Sequence, residues 1–223
     1  MDRRTAALLL VAVVALASVV NATVFAYRWI YGTVSIAGPE EARGAACTGF
    51  YSAAAQSGIT QFLPNLGTNY DALTYGENKI TVTPGDVVCQ WTVGTNTYEL
   101  YESIEVSIPV TVGSWYIQDF YAFGYYGTET DPEVYVYFRV DDDAADGGRL
   151  TTAYLIIRNA DGDELARLDL LTLGEQEGPI TLSPGSGLRL DLYLDVSTTG
   201  TVTSVTFKVG VYVTQESNEP PSL

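Results

Sequence analysis

The sequence predicts an all-β fold, a single jelly-roll-like sandwich, and three observations carry that prediction. Apolar side chains recur at every second position in one segment after another, the signature of strands with one face on a core. Clusters of Gly, Pro, Asn and Asp punctuate the chain about every dozen residues, the spacing of strands joined by tight turns. A surplus of 16 tyrosines falls largely on those alternating segments, where aromatic residues are favoured. At 223 residues with 47% hydrophobic content, one core of ordinary size is affordable, and no linker divides the chain.

Residues 1–22 read as a secretory signal peptide. Arg3 and Arg4 form a basic start, an apolar run covers 6–20, and Val20-Asn21-Ala22 offers a small-residue cleavage site, with Ala17 as a second position. The run is short for a membrane span, which needs about 20 residues. A type IV pilin-like leader, cut after Arg4 with the apolar helix retained, and a plain membrane anchor are the competing readings. Cleavage after Ala22 leaves nine basic against 26 acidic residues, a charge of −17. It also removes part of the single Asn-x-Thr acceptor, Asn21-Ala22-Thr23.

Residues 23–37 come next as a strand. Phe25, Tyr27, Trp29 and Tyr31 occupy one face and Val24, Ala26, Arg28 and Ile30 the other, continuing through Val34 and Ile36. Apolar residues on both faces ask for burial on both sides. The following segment, 38–44, has no tight-hairpin chemistry. The strand therefore either pairs within its own domain or fills a vacant strand position in another subunit.

The body of the sandwich spans 38–215. Its least regular part is 46–74, where 50–55 suggest a short helix and 63–69 a loop. Strands are expected at 80–83, 87–93, 97–103, 104–112, 114–123, 133–140, 149–158, 164–173, 188–195 and 205–213. Gly94-Thr95-Asn96 marks a hairpin, and Pro109 marks an edge or bulge. Residues 216–223 form a polar tail. Cys47 and Cys89 are an even pair, read as a disulfide in an exported protein, with two buried free thiols as the alternative.

Composition removes several functions. With no histidine there is no Ser-His-Asp triad, no Cys-His dyad and no His-ligated metal. A net charge of −16 argues against nucleic acid, whose phosphates need clustered cations. No carboxylate pair stands out for glycosidase chemistry, so the chain is not read as an enzyme.

The segment Ile180-Thr181-Leu182-Ser183-Pro184-Gly185 feeding the strictly alternating Leu188-Arg189-Leu190-Asp191-Leu192 resembles the late part of camelysin/TasA-like secreted sandwiches. A signal peptide followed at once by a β-forming stretch is similar to archaeal extracellular filament subunits of that type, the bundling pili, threads and cannulae. The resemblance implies a homopolymer in which residues 23–37 act as a donor strand. Val24, Phe25, Tyr27, Trp29, Ile30, Tyr31, Val34 and Ile36 would then sit at the subunit interface, in a filament serving adhesion, biofilm or cell–cell connection. Camelysin has been described as a protease, but this chain has no His-Glu-x-x-His motif.

Two acidic loops complete the inventory. Asp141 and Asp143 lie in one, and Asp161 and Asp163 in the other. Alternate oxygen donors fit calcium, which needs six to eight of them, so either loop would need help from elsewhere. Ordinary turn chemistry explains the same residues, and no cofactor is required. The alternatives to a filament are a cell-surface adhesion or glycan-binding sandwich, with 115–116 and 121–126 as its aromatic stretches, and a surface-layer component.

Overall fold

The computed structural model describes residues 30–37, 46–69, 81–110, 112–144, 150–197 and 204–215. The signal-peptide segment 1–22, the first half of the N-terminal strand (23–29) and the tail 216–223 lie outside the described residues. Thirteen strands are present among the described residues: β1 Ile30–Ala37, β2 Cys47–Tyr51, β3 Thr81–Pro84, β4 Val87–Val93, β5 Asn96–Tyr101, β6 Ser103–Val110, β7 Gly113–Tyr126, β8 Val134–Asp142, β9 Leu150–Arg158, β10 Glu164–Asp169, β11 Gln176–Leu182, β12 Ser186–Val196 and β13 Ser204–Thr214. They form a six-stranded sheet in the order β11-β8-β13-β1-β6-β3 and a seven-stranded sheet in the order β10-β9-β12-β7-β2-β5-β4. The all-β sandwich expected from the alternation is therefore what the chain adopts.

Period two explains why the two sheets face each other. Val134, Val136, Phe138 and Val140 on β8, with Phe207, Val209 and Val211 on β13, bury one face of the six-stranded sheet. Leu188, Leu190, Leu192, Leu194 and Val196 on β12 bury the opposing face, and all belong to one continuous core. Phe123 of β7 meets Phe138 of β8 edge-to-face across that core at 6.4 Å. Each fully buried side chain of this size contributes roughly 1.5–3 kcal/mol, so the alternating strands carry the fold's stability.

The seven-stranded sheet is also covered on part of its outer face. Tyr51, Ile59, Leu63, Leu66, Tyr98, Leu100 and Ala122 make a second, smaller cluster there. Phe50 and Tyr51 are both fully buried, one in each cluster. That two-sided burial is why Phe50 and Tyr51 end a strand, and 53–55 a turn, where the sequence suggested a helix over 50–55: successive side chains must point to opposite faces. After β2 the chain turns and crosses the sheet, with one 3-10 turn at Ile59–Gln61. Tyr51 lies flat on β7 because Gly124 leaves the room; a Cβ there would come within 2.7 Å of its ring.

The hairpin expectation holds in detail. β4 and β5 form the hairpin around Gly94, whose φ of 66° suits a tight turn that other residues enter at a cost. Pro109, expected at an edge or a bulge, instead stands in β6 opposite Tyr31, in a strand with neighbours on both sides, without a register shift and beyond the last described β3 pair at Ser107. β11 is an edge strand interrupted by a register shift between Glu177 and Ile180, and that Gly-Pro break hid most of it from a periodicity reading.

Cys47 and Cys89 are bonded, with Cα atoms 5.5 Å apart. The bond staples the β4–β5 hairpin to β2, which otherwise meets β5 at the single pair Phe50–Tyr101. Closing a loop of 42 residues stabilises by roughly 4 kcal/mol in the chain-entropy model. Replacing both cysteines by serine should lower the urea unfolding free energy by about 2–5 kcal/mol, with the hairpin amides exchanging first in hydrogen-exchange measurements.

Candidate functional site

The arrangement most able to support a function is the position of β1. It occupies the middle of the six-stranded sheet, antiparallel to β6 and parallel to β13. The ladder runs from Ile30 opposite Val110 to Ala37 opposite Ser103 on one side, and from Tyr31 opposite Ser204 to Ala37 opposite Gly210 on the other. Eight positions pair with β6 and seven with β13. Sheet partners supply Ile104, Val106, Phe207 and Val209 to the core directly beside it, each no more than 2% exposed. Of the residues proposed for the interface, Ile30, Tyr31, Val34 and Ile36 are on this strand; Val24, Phe25, Tyr27 and Trp29 lie outside the described residues.

A strand in this position satisfies two edges at once. Every ladder hydrogen bond contributes about 1 kcal/mol net, and a buried one left unmade costs roughly 1–3 kcal/mol. Without β1, β6 and β13 would present facing rows of unpaired N–H and C=O groups across a gap one strand wide. The slot is thus built by two strands from distant parts of the sequence and filled by a third from the beginning of the chain.

On the outer face of the other sheet lies a buried polar hub. Asp191 on β12 is fully buried. Its carboxylate accepts hydrogen bonds from the Tyr116 hydroxyl at 2.5 Å, the Asp119 N–H at 2.7 Å and Arg158 Nε at 2.9 Å, and Arg189 Nε stands 3.4 Å away. The Asp119 N–H is available because β7 bulges there. Ile117 pairs with Leu192 and Tyr121 with Leu190, so three β7 residues stand opposite Asp191. Asp119 takes φ 55°, a conformation that Asp tolerates better than most residues. Its own carboxylate then accepts from Gly67 N–H at 2.7 Å, Thr68 N–H at 3.2 Å and the Thr68 hydroxyl at 2.6 Å. One bulge therefore ties the covering segment 66–69 to the sheet. Periodicity cannot reveal this, because Asp191 alternates in sequence like any exposed strand residue.

The acidic loops do not combine. Asp141 is not in a loop but on β8, and Asp143 follows that strand, at the end where β9 begins and β10 finishes, while Asp161 and Asp163 form the β9–β10 turn at the opposite end. Asp141 accepts from the Tyr212 hydroxyl at 3.3 Å and faces Arg139 at 3.6 Å. Asp163 bonds through both backbone and side chain to Asn159, which closes the turn. Among the described residues no three acidic or Cys side chains gather into a group that could hold a metal ion. The aromatic stretches divide similarly. Tyr121, Phe123 and Tyr125 are core, and Tyr116 is 49% exposed.

Burial and neighbouring carboxylates set the tyrosine chemistry. Tyr101 is pushed up to about 12, first by burial and then by its hydrogen bond to Glu99. Tyr51 is raised further by burial and Asp119, and Tyr116, Tyr125 and Tyr212 are raised by burial with Asp191, Asp131 and Asp141 adding to it.

No protein-family model matches this chain, and no curated protein shows significant similarity to it. Among the described residues no helix is long and apolar enough to cross a membrane.

The raised tyrosines make a pH prediction with a definite sign. A group whose folded pKa lies above its unfolded value holds its proton more tightly when folded. That stability is intact below pH 10 and is lost as pH rises through the folded value, between about 10 and 12 for Tyr101. Phenolate absorbance should therefore lag behind that of the urea-unfolded chain above pH 10, then rise in one step together with loss of near-ultraviolet dichroism. A native titration curve that overlays the unfolded one would contradict this.

Proposed function

We propose that this protein is a structural subunit of an extracellular filament that polymerises by strand complementation, each copy giving its N-terminal strand to the next. One observation carries the reading: β1 occupies a slot between two strands from distant parts of the sequence, and its chain connection to β2 leads into the other sheet. A slot of that kind accepts the equivalent strand of a second copy with the same hydrogen bonds and the same register.

The geometry of the connection favours exchange. Nine residues, 38–46, separate β1 from β2, and when extended they reach about 30 Å. Stacked sheets are only about 10 Å apart, so the segment is long enough to carry the strand out of its own sandwich. A head-to-tail exchange does not close on itself and gives a fibre. The role is structural rather than catalytic.

Export fits the remaining features. The Cys47–Cys89 bond is at home in an oxidising compartment, and the start of the sequence reads as a secretory signal. High net negative charge keeps the exported subunit dispersed until a donor strand engages. Partners are other copies of this chain, with cells or surface glycans as the targets of the finished filament.

Deleting residues 23–37 should abolish fibres in negative-stain images while leaving a monomer whose exposed slot binds a synthetic peptide of the same residues. Fibres formed by the deletion variant, or no fibres from the intact mature chain, would defeat the reading.

A further inference from the structure

The outer face of the seven-stranded sheet has a second half, away from the covering segment 52–69, where Tyr116 is exposed and Tyr154 and Tyr193 are half-buried. Register there produces an unusual row. Tyr193 on β12 stands directly opposite Tyr154 on β9 and directly opposite Tyr116 on β7. Directly opposed residues share a face, so three tyrosines cross three adjacent strands in a line about 10 Å long. The Tyr154 and Tyr193 rings are 6.4 Å apart with only 21° between their planes. Arg167 places its guanidinium 5.4 Å from the Tyr154 ring centre, and its side chain is 48% exposed.

The rings are held in place. The Tyr193 hydroxyl donates to the Asp195 carboxylate, 3.0 Å from either oxygen, and Ser114 and Thr152 hydrogen-bond the same carboxylate. The Tyr116 hydroxyl donates to Asp191. Glu164 orients Arg167 through two bonds of 2.9 and 3.0 Å. A ligand meeting this surface would find aromatic groups whose rotamers are already fixed, so little ordering entropy is lost on contact.

Charge narrows what that ligand is. The face carries Arg158, Arg167 and Arg189 against Glu164, Asp169, Asp191 and Asp195, an excess of one negative charge, on a chain whose net charge is −16. A polyanion would meet no excess of positive charge here, and a second acidic copy would be repelled by the surrounding surface. An uncharged chain rich in hydroxyls suits a face of aromatic rings that has no excess of positive charge and is flanked by hydrogen-bonding groups.

We propose that the Tyr116–Tyr193–Tyr154 row is a binding platform for an uncharged polysaccharide. The apolar faces of its pyranose rings rest on the tyrosines, whose ring faces carry the partial negative charge that attracts polarised C–H groups. The Asp195 carboxylate and the Arg167 guanidinium border the row and meet sugar hydroxyls. This inference stands independently of the strand slot, which lies in the other sheet.

The same row also braces the sheet, since cross-strand aromatic pairs contribute roughly 0.2–1 kcal/mol each. The test therefore separates binding from bracing. The mature protein is run in native gels containing soluble β-glucan, xylan or mannan, with alginate as the acidic comparison. Retardation by at least one neutral glycan is expected, with Tyr193→Ala and Tyr154→Ala weakening it more than tenfold. Tyr116→Ala removes a half-exposed ring and should weaken binding at least fivefold, while Tyr116→Phe, which loses the same hydrogen bond to Asp191 but keeps the ring, should bind within twofold of the parent chain. No retardation by any of the neutral glycans, retardation by alginate alone, or wild-type binding by Tyr116→Ala would each overturn the proposal. So would sedimentation showing that the row joins two copies of the chain and that Tyr116→Ala abolishes that dimer.

Discussion

The six-stranded sheet depends on a backbone requirement: β6 and β13 each need a hydrogen-bonded neighbour on the side that faces the other. In a sandwich this demand is strict, because the groups beside a core cannot turn to water without exposing the apolar face they carry. Ile104 and Val106 on β6, and Phe207 and Val209 on β13, are buried only if the backbone between them is continuous. β1 supplies that continuity. Main-chain bonding gives such a strand its affinity and alternate side chains give it register.

The opposite sheet solves a different problem. β7 is 14 residues long, and its second half is buried on both faces, by the inter-sheet core and by segment 52–66. Its first half keeps Trp115 and Ile117 on the core but leaves Tyr116 exposed on the outer face. The bulge at Asp119 marks the change, and Asp191 anchors it by accepting the N–H that the bulge releases. A buried carboxylate is tolerable only when its charge is matched, and Arg158 with the Tyr116 hydroxyl does this. One polar cluster thus fixes the covering segment on one side and orients the first ring of the tyrosine row on the other.

How much of this was legible in the sequence follows from which interactions are local. The strands with strict alternation, 134–140 on β8, 188–194 on β12 and 205–213 on β13, were readable because one face meets core and the other does not. β2 was not, because Phe50 and Tyr51 are both buried and Ala53-Ala54-Ala55 follows with helix-forming composition. β11 was obscured by Gly178-Pro179 inside it. The disulfide was readable from the even cysteine count and the expectation of export, and the structure contains it. The tyrosine row was not readable at all: Tyr116, Tyr154 and Tyr193 are far apart in sequence, and only β-sheet register aligns them. Trp115 packs against the core and Tyr116 faces outward, so the proposed platform is a column across strands and not a run along one.

The central claim, that the slot between β6 and β13 is filled by the strand of another copy, is open to a direct chemical measurement. Ser35 and Glu105 stand opposite each other in the β1–β6 register, and Glu105 is exposed, so cysteines at both positions come within disulfide reach of each other. The chain carrying Ser35→Cys and Glu105→Cys, assembled and then oxidised, is separated on a denaturing gel without reductant. The strand-exchange account predicts a ladder of covalent multimers that collapses to monomer on reduction. Cross-linking confined to the monomer in assembled material would show each strand seated in its own sandwich and would contradict the account.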